Sequence, residues 1–216
     1  LDVPEIKEFY SAHFKIDAIT ALGTGRFGSR VGLVDVDTVF CNRVPDLLVN
    51  LPTASLAAYD VSRPQNPLHW GRRVAQDLAL VAGEDLRNPR WFGGEFLYGH
   101  AGVFAMLSQM IAQCWPRYVG QIGKMHHIGD ETPVSAALNL MADQGFPLVD
   151  VADMGAIIRW WSTGTRHPQP AFDDIANYFA LHLPADKVFL AEQAYQPFAK
   201  GGFLAAYRDR LRRKIK

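Results

Sequence analysis

Two hydrophobic periods take turns along this chain, one close to 3.6 residues and one close to 2, with glycine and proline between them. Residues 4–22, "PEIKEFYSAHFKIDAITAL", place Ile6, Phe9, Tyr10, Phe14 and Ile16 at roughly helical spacing and predict a helix. The glycine-rich turn "GTGRFGSR" follows, then the apolar run "VGLVDVDTVF", which predicts a strand over 31–40. "NRVPDLL" predicts a short helix entered through a proline turn, "ASLAAYDV" a short strand, and "SRPQNPLHWG" a loop with Trp70 exposed or half-buried. "HAGVFAMLSQMIAQCWPRYV" has the stripe of an amphipathic helix. "GDETPVSAALNLMADQG" predicts a second helix, capped by Asp130 or Thr132, with Pro133 in its first turn and Gly145 at its stop. "FPLVDV" and "AIIRWW" are strand-like, and a terminal helix is expected from about Gly202 to 216. This alternation predicts one α/β domain spanning 1–216, a mixed central sheet flanked by helices.

Composition narrows the class without naming a chemistry. Of 216 residues, 49% are apolar and 20% charged, which is a globular balance. Lys+Arg and Asp+Glu both number 22, so no global field favours nucleic acid. The basic cluster "RDRLRRKIK" reads as a solvated helix end, or as a weak contact with a membrane surface. Cys41 and Cys114 fit no metal-ligand spacing, and the expectation is a reducing, cytoplasmic setting. No apolar run is long enough for a membrane span.

The chemistry concentrates in "LVDVDTVF". On a strand, Asp35 and Asp37 would share one face, and two bare carboxylates so placed repel unless a cation lies between them or they stand at the strand's open end. Hard carboxylate oxygens suit Mg²⁺ or Mn²⁺. "DVDTV" also satisfies the Asp-x-Asp-x-Thr/Val pattern of haloacid-dehalogenase-like phosphatases, in which Asp35 would attack phosphorus and Asp37 act as acid. The neighbouring pair His126-His127 diverges on any regular element and reads as a loop feature.

"LVDVDTVFCNRVPDLL" resembles the glycogenin-like and lipopolysaccharide galactosyltransferase-like glycosyltransferases of the A-type fold, which carry an aliphatic strand, Asp-x-Asp, a hydrophobic pair and a proline turn into "LL" in that order. "WFGGEFLYG" resembles their small-residue turn beneath the acceptor sugar, "GDETPVSAALN" their acidic dipeptide opening a helix, and "HLPADK" their late His-x-x-Gly-x-Lys stretch. Here Pro184-Ala185-Asp186 stands where a glycine is usual.

The resemblance implies a hexosyltransferase that moves a sugar from a nucleoside-diphosphate donor, a UDP-sugar first among them, to a carbohydrate or protein acceptor. It implies Asp35, Asp37 and His182 as ligands of Mn²⁺ or Mg²⁺, and Lys187 with Asp35 at the diphosphate. Glu95, Asp130 and Glu131 are implied as acids toward the acceptor hydroxyl or the donor sugar. That fold places a longer run of strands and helices before the acid pair, whereas 34 residues precede Asp35. An A-type fold lacking or compressing its N-terminal nucleotide-binding half is therefore expected. A non-catalytic carbohydrate- or partner-binding domain remains the alternative beside the phosphatase.

Overall fold

The computed structural model describes residues 10–62, 68–165, 168–195 and 197–214. A 3₁₀ turn at Tyr10–His13 leads into α1 (Phe14–Gly23), β1 (Arg30–Val34), β2 (Thr38–Phe40) and α2 (Asp46–Val49). Then come β3 (Leu56–Asp60), α3 (Leu68–Ala82), β4 (Phe92–His100), α4 (Ala101–Gln121) and α5 (Glu131–Asp143). The chain closes with β5 (Leu148–Asp150), β6 (Ile157–Arg159), α6 (Phe172–Ile175), β7 (Ala180–His182), α7 (Lys187–Gln193) and α8 (Lys200–Lys214).

The expected α/β alternation is present, but in two mixed sheets instead of one central sheet. Four strands run β1-β4-β3-β5, antiparallel except for the parallel pair β3-β5. Three run β2-β7-β6, with β2-β7 antiparallel and β7-β6 parallel. The chain divides accordingly into two compact units, the first holding the described residues up to Val34 and Asn50–Val151, the second Asp35–Val49 and the residues from Ala152 on. Each has its own apolar core.

In the first unit, α1 packs on α4, α4 on α5, and α3 on both, while α5 lies against β4. Leu56 and Ala58 of β3, Phe92 and Leu97 of β4, and Phe104, Leu107 and Ile111 of α4 share one core. β3 is buried at all five positions, as a strand paired on both edges requires. α3 departs from the loop expected over 62–71: residues 63–67 lie outside the described residues, and from Leu68 on, Trp70 included, the chain is helical behind a proline-rich segment. The predicted small-residue turn at "WFGGEFLYG" is instead strand β4 with a bulge. Ala58 pairs with Leu97 but Tyr59 with Gly93, so Gly94, Glu95 and Phe96 have no register partner on β3.

The second unit is built on strands of three residues each, too short to stand without packing. Aromatic rings supply that packing. Tyr207 of α8 is fully buried, stacked at 10° on Phe203 and with Phe172 4.8 Å and Phe189 5.5 Å away between ring centres. The terminal helix starts at Lys200, two residues before the expected Gly202.

Gly23, the last residue of α1, shows how closely α1 and α4 approach. A Cβ there would lie 2.7 Å from Ala105 N and 2.8 Å from Ala105 Cα, both backbone atoms of α4. Gly23→Ala is expected to cost about 2 kcal/mol, read as a lowered urea midpoint, whereas Gly123→Ala, where a Cβ meets nothing within 4 Å, leaves the midpoint in place.

Candidate metal centre

The stretch 31–40 does not form the continuous strand that its apolar pattern predicts. β1 ends at Val34, residues 35–37 form a turn closed by Thr38 N–H donating to Asp35 O at 3.1 Å, and β2 begins at Thr38. Aspartate is a turn former, which favours this break over a strand carrying two acids. Val36 between the acids is 98% exposed, while Asp37 is buried. The two carboxylates thus come together through a turn and not through strand pleating.

Antiparallel pairing then brings the late histidine to them. β2 and β7 are registered with Thr38 opposite His182, and Leu183 N–H donates to Asp37 O at 3.0 Å, extending the ladder by one step. On the other side of β7, Trp160 N–H donates to His182 O at 2.9 Å. His182 Nε2 lies 3.1 Å from Asp37 Oδ1 and 3.7 Å from Asp35 Oδ2. One donor atom from each of Asp35, Asp37 and His182 falls within 4.8 Å of the others.

These residues fit a divalent cation. Ligands of one ion with bonds of about 2.1 Å sit roughly 3 to 4 Å apart, the range spanned by the two imidazole-carboxylate distances. Asp37 Oδ1 is buried and has no hydrogen-bond partner, with His182 Nε2 3.1 Å away. A buried carboxylate oxygen left in that state is costly unless a cation meets it. Two carboxylates and one imidazole are hard-to-borderline donors that suit Mn²⁺ and, less well, Mg²⁺.

Lys187, the first residue of α7, places Nζ 3.4 Å from Asp37 Oδ2 with its side chain 68% exposed. Burial by itself would raise the Asp37 pKa; the contact with His182 and the charge it carries when protonated, then Lys187 and the residue's own backbone, outweigh it and hold the carboxyl at about 2. Asp186, next to Lys187, is buried with no side-chain exposure and accepts from Tyr207 Oη at 2.6 Å and from Arg210 Nε and Lys214 Nζ at 2.8 Å each. Burial again pushes upward and is outweighed, by Lys214, Ser162, Tyr207 and Arg210, so that this carboxyl also lies at about 2. Nothing in the pattern of "HLPADK" singled Asp186 out beyond its standing where a glycine is usual; Tyr207, Arg210 and Lys214 lie 21 to 28 residues further on. The basic tail is correspondingly engaged within its unit, with Arg208 on Asp173 at 2.7 Å besides Arg210 and Lys214.

The remaining expected site residues, Glu95, Asp130 and Glu131, belong to the first unit and organise the β4 bulge. Glu131 accepts from Trp91 Nε1 at 2.6 Å with Oε2 and from Gly94 N–H at 3.1 Å with Oε1. Asp130 pairs with Lys15 at 3.2 Å, and Lys15 also donates to Gly94 O at 3.2 Å. Neither expected cap of α5 forms: the Asp130 side chain makes no cap bond, and Thr132 Oγ1 donates to His127 O at 2.9 Å. Glu95 is fully buried within the bulge. Asp77, absent from any motif, accepts the backbone N–H groups of His126 and His127 at 3.0 and 2.9 Å and contacts His127 Nδ1 at 2.8 Å, which explains the paired histidines as a tied loop. Cys41 and Cys114 are buried free thiols. Among the described residues no helix is long and apolar enough to cross a membrane.

Comparison of the sequence with known protein families and with curated proteins gives no match.

Both depressed carboxyls give a definite acid response. Their folded pKa lies near 2, below the ordinary 3.8, so the stabilisation is present above pH 3.8 and is lost as pH falls toward 2. Melts between pH 6 and pH 2.5 are expected to show the second unit losing on the order of 2 kcal/mol per carboxyl, and Asp186→Asn to flatten that dependence.

Proposed function

We propose that the second unit binds Mn²⁺ through Asp35, Asp37 and His182, and that this centre serves a glycosyltransferase acting on a nucleoside-diphosphate sugar. The observation that carries the reading is the convergence of these three donors within 4.8 Å from sequence positions almost 150 residues apart. The family resemblance of the same residues gives the centre its substrate class. A bound Mn²⁺ would act as a Lewis acid on the diphosphate leaving group.

The chain's own residues have separable tasks in this reading. Asp37, held ionised far below neutral pH, offers a permanent negative oxygen. His182, clamped by the β2-β7-β6 sheet, offers nitrogen from a fixed direction. Lys187 occupies the charge of Asp37 until a stronger cation arrives, and then has an exposed ammonium with which to meet a phosphate oxygen. A role for Glu95, Asp130 and Glu131 toward donor sugar or acceptor rests on the resemblance alone.

Thermal melts with UDP, Mn²⁺ and both together test the proposal. Saturating Mn²⁺ plus UDP is expected to raise the melting temperature by about 5 °C or more, and Asp37→Ala to abolish the rise. No shift in the unaltered protein overturns the reading, as would Mg²⁺-dependent hydrolysis of p-nitrophenyl phosphate that disappears in Asp35→Asn. Lys187→Met, which removes the competing ammonium, is expected to bind Mn²⁺ alone about two- to fivefold more tightly and Mn²⁺ with UDP more weakly, both measured by calorimetry.

A further inference from the structure

The second unit buries one more carboxylate than the proposed centre uses. Asp186 has no side-chain exposure, yet three donors from α8 converge on it: Tyr207 Oη on Oδ2, and Arg210 Nε and Lys214 Nζ on Oδ1. Lys214 Nζ also reaches Ser162 Oγ at 2.6 Å, three residues beyond the end of β6. Backbone bonds link this cluster to the acids: Asp186 N–H donates to Leu183 O at 3.0 Å, and Leu183 N–H donates to Asp37 O.

Stability alone is a poor reason for such an arrangement. Desolvating a carboxylate is costly, and an apolar residue of similar volume commonly serves a core at least as well. What directional, charge-assisted bonds supply is position, because they fix the angle of approach as well as the distance. Asp186 stands between the two residues of this segment that face the acid pair, four after His182 and one before Lys187. The 3₁₀ turn Pro184–Asp186 is therefore held at one end by the β7 ladder and at the other by α8.

We infer that Asp186 is a positioning residue of the proposed centre, and that α8 is the strap which, through Tyr207, Arg210 and Lys214, aims Lys187 at the anion that the metal holds. The inference rests on the Mn²⁺–diphosphate reading for its ligand but not for its geometry. It assigns the departure Pro184-Ala185-Asp186 a purpose: where a glycine would leave the turn adaptable, an anchored acid sets it from outside the sheet. Each donor then acts on ligand binding through Lys187, at a distance from any atom the ligand touches.

Two mild variants, Tyr207→Phe and Lys214→Met, each remove one donor and keep the aromatic packing or the alkyl stem, with Asp186→Asn as the stronger change. Calorimetry with Mn²⁺ plus UDP, well below each variant's melting temperature, is expected to show about tenfold weaker binding for each. In a Lys187→Met background the same changes should matter less than twofold, because the route by which they act is gone. In parallel, amide exchange should accelerate at Leu183, Asp186 and the first turn of α7 while Val39 and Leu181 in the β2-β7 ladder keep their protection. Unchanged affinity, an equal loss in both backgrounds, or exchange that rises uniformly across the unit overturns the inference. If the unaltered protein binds no Mn²⁺ and UDP, the proposed function fails, and the local or uniform pattern of exchange still decides whether α8 positions this turn.

Discussion

Three residues of β2 pair with three of β7, and this short ladder, with Thr38 opposite His182, is what the candidate centre depends on. Antiparallel partners face each other at about 5 Å, so a register set by backbone bonds delivers an imidazole to a turn carrying two carboxylates. A slip of one residue would send His182 to the opposite face of the sheet. The ladder is protected by its position: β7 is the middle strand, bonded on both sides, and all three of its residues are buried.

Around that ladder the second unit is organised by charge as much as by apolar contact. Two buried acids, Asp37 and Asp186, are both joined by backbone bonds to Leu183 just past the end of β7, each outweighing its own desolvation with donors drawn from elsewhere in the unit. The aromatic cluster about Tyr207 supplies the apolar support that strands of three residues lack, and its hydroxyl bonds Asp186. One side chain thus serves both kinds of cohesion. The basic C-terminal helix takes its meaning from the same arrangement, since several of its cations face acids of their own unit.

The first unit follows a different logic. Its sheet packs against long helices, and one group of its polar side chains meets at an irregularity, the bulge at Gly94, Glu95 and Phe96. The bulge leaves backbone groups to be satisfied, and Glu131 and Lys15 reach Gly94 N–H and Gly94 O. The acidic pair at the start of α5 is thereby accounted for without a capping bond. A sequence with Asp-Glu-Thr-Pro at a helix start invites a capping reading, and the tertiary demand of the bulge wins.

What the chain decides locally was legible in it. Helices α1, α4 and α5 and strands β3, β5 and β6 follow from periodicity and punctuation, because each is specified by residues within one turn or one pleat of one another. The grouping of Asp35 with Asp37 is likewise written in two positions a single residue apart. α3 was hidden because its start lies in a proline-rich stretch that carries a loop signature. The division into two sheets, the bulge in β4 and the four-residue cluster at Asp186 have no local signature, since each answers to a partner 20 to 150 residues away. Chain order determined which chemistry is available to this protein. Strand register and the docking of α8 decided which of those groups meet, because only long-range backbone pairing and buried charge can fix positions that sequence distance leaves open.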